Sequence, residues 1–198
     1  MKGKAKAFVL TAAVGALAAW RFVLAGSAAP ELDQSIDQAR ARVELSFDYA
    51  SQGGRASNQI AAWVTDKDGN LVKTLFATSF TAGREGWKSR KESLPQWVAD
   101  SGAARLGKPQ VDAISRATPA SGAIRCAWYC DDANGKSVPA GLYILNLEGS
   151  LRWENRVLHR ATVLIGGEGR EERPEPAFFG PSTAERGMLT NVVVRHRP

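Results

Sequence analysis

The segment Asp112-Ala-Ile-Ser-Arg-Ala-Thr118 sets a carboxylate and two hydroxyls, Asp112, Ser115 and Thr118, at three-residue intervals among mostly small side chains. Pro119 biases Thr118 toward an extended backbone, because the proline ring clashes with a helical residue before it. A hydroxyl on an exposed, extended and small-sided segment can be reached by a modifying enzyme, which makes this a candidate cofactor-attachment loop. The competing reading is a polar turn in which Asp112 and Ser115 bond their own backbone.

The remaining reactive residues form no catalytic constellation. Cys126 and Cys130 are the only cysteines and fall in one expected strand with Trp128 between them. Four strand residues cover about 13 Å whereas a disulfide needs Cα atoms within about 7 Å, so two buried thiols are expected. Their spacing lacks the adjacent His of haem attachment and any partner ligands for zinc. His159 and His196 fall on different expected strands, and Ser115 and Ser121 lack the strand-turn-helix setting of a nucleophile. Asp131, Asp132 and Asn134 lack the downstream acidic residue of a calcium loop, and turn chemistry accounts for them. No metal site is expected.

The elements that hold these residues read as strands. Val43, Leu45, Phe47 and Tyr49 alternate with Glu44, Ser46 and Asp48, the period of a half-buried strand. Gln59–Thr65 and Leu71–Thr78 flank Asp66-Lys-Asp-Gly-Asn70, a hairpin turn whose Gly and Asn tolerate positive φ. Further strands are expected over Ala123–Cys130, Leu142–Leu147, Arg156–Ile165 and Met188–Arg195, the third and fourth of these separated by a Glu/Arg/Pro-rich loop. About seven short strands with one minor helix predict an all-β, immunoglobulin-like antiparallel sandwich over residues 42–198. Trp63 and Trp128 lie within strand patterns and are expected to fill the inter-sheet core.

A long segment from Thr81 to Pro109 interrupts this pattern. Ser93 followed by Leu-Pro-Gln-Trp-Val-Ala-Asp100 predicts one short helix capped by Ser93, with proline in its first turn. Insertions of this length in small β domains often face partners. Trp87, Arg90 and Trp97 are therefore the candidate partner-binding residues. Arg84, Lys88, Arg90 and Lys91 cluster there, but Glu85 and Glu92 interleave, which describes a solvated loop and not a nucleic-acid surface.

The amino terminus is expected to be a targeting segment. Lys2, Lys4 and Lys6 precede an apolar run from Ala7 to Trp20, then Arg21, a second apolar run and small residues to Ala29. Residues 1–29 are read as a signal peptide or membrane anchor helix, since about 20 apolar residues span a bilayer, and residues 30–41 as a polar connector. Of the 26 Lys and Arg residues four lie in the leader, which holds none of the 20 acids, so loss of residues 1–28 lowers the net charge from +6 to +2. A surface so nearly neutral gives no reason to expect nucleic-acid binding.

Three resemblances sharpen these expectations. Trp128-Tyr-Cys-Asp-Asp-Ala-Asn-Gly-Lys-Ser-Val-Pro-Ala-Gly-Leu-Tyr143 resembles the hairpin of FlgD-like immunoglobulin-type domains, with Cys130 where Gly is usual. More broadly, Trp63–Leu75, Leu94-Pro-Gln-Trp97, Val111–Thr118, Trp128–Tyr143 and Leu147-Glu148 are similar to the DUF2271 family of predicted periplasmic proteins. That resemblance implies export and an accessory role beside extracytoplasmic flavin and PepSY-type redox systems. Asp112-x-x-Ser115-x-Ala117-Thr118 is similar to the attachment motif of FMN-carrying domains, in which a flavin transferase joins FMN to the Thr hydroxyl by a phosphoester. Arg116 occupies the usual Gly position of that motif.

The expected role is accordingly that of a noncatalytic, cofactor-free accessory or scaffolding protein. It would be periplasmic, held at the inner membrane if the leader stays uncut, and dock on a membrane-associated redox complex through Thr81–Pro109. The alternative is an electron carrier with FMN on Thr118, where Asp112 and Ser115 complete the attachment loop. A glycan-binding module is a third reading, and it would need an exposed Trp pair among Trp63, Trp87, Trp97, Trp128 and Trp153.

Overall fold

The computed structural model describes residues 41–53, 57–152, 154–181 and 184–198. The targeting segment, the connector as far as Arg40, and Trp153 lie outside the described residues. The strands are β1 (Arg42–Tyr49), β2 (Gln59–Asp66), β3 (Leu71–Thr78), β4 (Ser115–Arg116), β5 (Gly122–Trp128), β6 (Gly141–Ser150), β7 (Arg156–Ile165), β8 (Glu171–Glu172), β9 (Ala177–Phe179) and β10 (Leu189–Arg197). They form two sheets, one ordered β5-β1-β10-β8 and the other β4-β3-β2-β6-β7-β9. Every pairing is antiparallel except the short contact of β3 with β4. The all-β sandwich expected from the strand pattern is the fold that forms.

Alternation explains the core between the sheets. In β1 the apolar Val43, Leu45, Phe47 and Tyr49 are buried, while Glu44, Ser46 and Asp48 are half-exposed on the other face. Ile60, Ala62 and Val64 of β2, Tyr143, Leu145 and Leu147 of β6, and Val157, Ala161 and Val163 of β7 meet them from the second sheet. Trp128 lies in this core with its ring edge-on to Tyr143, 5.3 Å between centroids, and its Nε1 donates to the Asp131 carbonyl at 2.7 Å. That bond satisfies the one polar atom of a buried indole.

One expectation about strand order fails. Trp128 and Tyr143 do not bracket a hairpin: β5 pairs with β1 in one sheet, and β6 pairs with β2 and β7 in the other. The turn chemistry of residues 130–138 is real, with Val138 N–H donating to the Cys130 carbonyl and Asp132 N–H to the Lys136 carbonyl. It serves a crossover between sheets. Cys130 sits at φ 55, a left-handed conformation that glycine adopts without steric cost, which accounts for the usual residue there. Cys126 and Cys130 are buried thiols, as expected from their spacing.

Trp63 also differs from expectation. It joins a second apolar cluster with Ala61, Ala77, Ala82, Leu94, Trp97 and Leu158, on the face of the six-stranded sheet that points away from the first core. The run Ile60-Ala-Ala-Trp-Val64 is apolar on both faces, and β2 is buried along almost its full length. Such a run marks a strand covered on both sides. What covers it is the 79–114 insertion, which folds as α1 (Gly86–Ser89), α2 (Pro95–Ser101), a 3-10 turn at Ala103–Arg105 and α3 (Lys108–Ile114). One short helix was expected from the sequence and three form.

Candidate functional site

The insertion is latched to the sheet by a buried polar network. The Gln59 Oε1 accepts from Thr78 Oγ1 at 2.6 Å and from Thr81 Oγ1 at 3.0 Å, and Thr81 Oγ1 meets Ser93 Oγ at 2.6 Å. Ser93 therefore does not cap α2. Leu94 takes the cap position at φ 51, and its N–H donates to Ser150 Oγ of β6 at 3.1 Å. The next two N–H groups, of Gln96 and Trp97, donate to the carboxylate of Glu148 at 3.3 and 2.9 Å. A strand residue fifty positions away thus supplies the acceptors that a helix start ordinarily finds in its own cap side chain.

Glu148 is fully buried, and Arg156 Nη1 closes the arrangement at 3.0 Å. Burial pushes its carboxyl above the ordinary range, against the opposing pull of the Trp97 N–H and Arg156. Arg156 in turn lies 3.7 Å over the ring of Phe179. Trp97 Nε1 donates to Thr74 Oγ1 at 3.2 Å and Trp63 Nε1 to Asp100 Oδ2 at 2.9 Å. These contacts meet internal partners throughout, so the network is a structural clamp.

Trp97 is consequently corrected as a partner-binding candidate. It is 1% exposed and fills the space between α2 and the sheet. Trp87 and Arg90 remain at the surface, on the outer turn of the insertion. Trp87 is half-buried with Lys88 Nζ 5.4 Å from its ring centroid, and the exposed Arg90 lies 5.0 Å over Phe80. Burial of Trp63, Trp97 and Trp128 leaves Trp87 as the surface indole among the described residues.

The Asp112–Thr118 segment is at the same edge of the sheet. Asp112 is exposed on the last turn of α3, so it is helical and not part of an extended loop. The chain then straightens into β4, where Ser115 and Arg116 align with Ala77 and Thr78, and Ser79 N–H donates to the Arg116 carbonyl at 2.6 Å. Ser115 is half-buried under Gly83, where an added Cβ would come within 2.8 Å of Ser115 Oγ. Beyond β4 the chain has no regular structure, and Ala117, Thr118 and Ala120 are exposed. The Arg116 guanidinium turns back, donating to the carbonyls of Ala113 and Ser115 at 3.0 Å each. Arg116 is not at positive φ, so its backbone does not require glycine.

The histidines lie elsewhere. His159 is buried, with Nδ1 3.2 Å from the Pro174 carbonyl, and burial holds its imidazole below the ordinary 6.5. A base with a lowered folded pKa contributes stability that is present above the unfolded value and lost as pH falls through it. Unfolding midpoints should therefore drop below about pH 6.5, and His159→Gln should flatten that part of the profile; an unchanged slope would refute the assignment. His196 lines a cleft of about 560 Å³ with Leu142, Leu164, Val194, Glu168 and Arg170. Among the described residues no group of three His, Cys, Asp or Glu side chains is placed to hold a metal.

The fold is a β-sandwich with one sheet capped by a clamped insertion, and a hydroxyl-bearing segment stands at the cap's margin. The chain belongs to the DUF2271 family, described as predicted periplasmic proteins, whose model matches residues 40–176. No curated protein and no solved structure matches it. Among the described residues no helix is long and apolar enough to cross a membrane.

Proposed function

We propose that this is an extracytoplasmic carrier of FMN, bound covalently at Thr118. The observation that carries the reading is the exposed Thr118, on an irregular segment between the exposed Ala117 and the half-buried Pro119 and anchored to the sheet at Ser115–Arg116. The donor set fits a phosphoester. A threonine hydroxyl is the acceptor such a bond requires, and the arginine in the motif's glycine position is folded onto its own backbone, away from that role.

In the attachment step the Thr118 Oγ loses its proton and bonds to the FMN phosphorus of FAD. The pyrophosphate bond of FAD breaks and AMP leaves. The flavin supplies one- or two-electron transfer once bound. This chain's contribution is presentation: α3 and β4 anchor the segment on the amino-terminal side of Thr118, where Asp112 and Ser115 stand, and β5 takes up the chain beyond it at Gly122. Coexpression with a flavin transferase should add the mass of FMN less one water, and Thr118→Ala should abolish the adduct while leaving the melting temperature unchanged. An unmodified wild-type mass would reject the reading.

A second reading, an accessory subunit docking on a membrane-associated redox complex, is favoured by the half-buried surface indole of Trp87 and the exposed Arg90. Tethering through an uncut leader would serve either role. Trp87→Ala should abolish copurification with that complex from native membranes at unchanged thermal stability; an unaltered pull-down ends this reading.

A further inference from the structure

We infer that the basic turn around Arg84, Arg90 and Lys91 is an electrostatic docking surface for an acidic face on the enzyme that modifies Thr118. The inference rests on the attachment reading. Residues 79–116 hold seven Lys and Arg and four Asp and Glu, a net +3, whereas all of residues 41–198 hold 21 and 17, a net +4. Three of the four excess positive charges thus lie in the insertion and the β4 strand that follows it, one of them on Arg116 of β4. Within it Glu85 and Lys88 neutralise each other at 2.7 Å, and of the interleaving acids Glu92 is left beside Lys91. Arg84, Arg90 and Lys91 are exposed and have no carboxylate partner among the described residues.

The turn is built to hold this shape. Glu85 lies at φ 52, and a Cβ on Gly86 would overlap the Phe80 carbonyl, so the chain is held close on itself. Backbone bonds from Arg84 to Ser79, Gly86 to Phe80 and Arg90 to Gly86 fix it. Non-glycine residues in left-handed conformations persist where surrounding structure over-determines them, often at sites of function. The turn also shares its base with the attachment segment, through Ser79 N–H on the Arg116 carbonyl and Gly83 over Ser115 Oγ. The shared base puts these cations at the sheet edge that also carries the attachment segment, where complementary charge on an approaching protein would steer it.

The test uses the full chain, a purified flavin transferase and FAD, with FMN incorporation followed by its fluorescence. Steering by complementary charge raises encounter rates by roughly tenfold or more at low salt. Arg84→Gln/Arg90→Gln/Lys91→Gln should therefore lower kcat/KM for the protein substrate by roughly tenfold at low salt, with kcat and KM for FAD unchanged and a shallower salt dependence. Arg84→Gln/Lys91→Gln, which disturbs no stacked ring, should give part of that loss. Arg195→Gln/Arg197→Gln, on the other sheet, should give none. A variant modified at the wild-type rate overturns this inference alone. A raised KM for FAD instead assigns the cations to the nucleotide's phosphates and also overturns it. No adduct on the wild-type chain overturns the attachment reading, and this inference with it.

Discussion

Replacing Glu148 by alanine is expected to cost about 3 kcal/mol of folding stability, toward the low end for breaking one partner out of a buried ion pair. The change leaves Arg156 and the Gln96 and Trp97 N–H groups without their common acceptor, beneath a cap that admits no replacement side chain. The loss stays at the low end because the Arg156 side chain is 17% exposed and keeps its stacking on Phe179. For a domain of this size each kcal/mol shifts the melting temperature by roughly 2–4 °C, so a drop on the order of 10 °C should be seen. A drop under about 2 °C would show that the clamp is not what holds the insertion.

The same residue has a pH signature with a definite sign. The unfolded glutamate titrates near 4.5 and burial raises the folded one. As pH climbs from 4.5 the unfolded chain releases its proton first, so the folded state loses stability until the buried carboxyl has titrated. Glu148→Gln removes that contribution while keeping the shape. Its stability relative to wild type should therefore improve from about pH 4 upward and then level off. A difference independent of pH would contradict the raised carboxyl.

Trp97→Ala is expected to be at least as damaging, about 3–5 kcal/mol, because truncating a buried indole removes its transfer energy and leaves a cavity. From the α2 side Leu94 and the half-buried Val98 share this space with Trp97, and neither aliphatic side chain has the volume to replace the lost indole. The expected consequence is release of the cap and exposure of Trp63. Denaturant titration would show a lower midpoint, and limited proteolysis should cut within residues 82–106 before the strands. A variant that loses less than about 1 kcal/mol would mean that the insertion is a surface loop after all.

That outcome would also restore Trp97 as a contact residue. Sequence places Trp97 in a long mixed segment, and only the acceptors on β6 show where the segment goes. Glu148 reads in the chain as a polar residue ending an apolar strand. Its function as the cap of a distant helix depends on a register, Ala61 opposite Glu148 opposite Leu158, that no local pattern encodes. The legible hint was Ile60-Ala-Ala-Trp-Val64, an apolar run too continuous for a strand with one wet face.

Trp128 to Tyr143 failed for a related reason. Asp, Asn, Gly and Pro specify a turn through local hydrogen bonds and allowed φ, and that turn formed. Which sheet each flanking strand joins is a matter of long-range pairing, and the turn is compatible with a hairpin or a crossover alike. Cys130 at positive φ belongs to the legible part, since a position where glycine is usual already signals that conformation.

Local chemistry alone established the strands, their inward faces, the Asp66–Asn70 hairpin and the reach of a threonine before proline, because alternation and φ restrictions act within a few residues. Tertiary structure alone decided that the insertion is a clamped cap, that Trp63 and Trp97 lie beneath it, and that the basic turn stands beside Ser115. Those outcomes depend on satisfying buried polar groups across fifty residues of chain, a condition that exists only once two sheets and a cap have closed on one another.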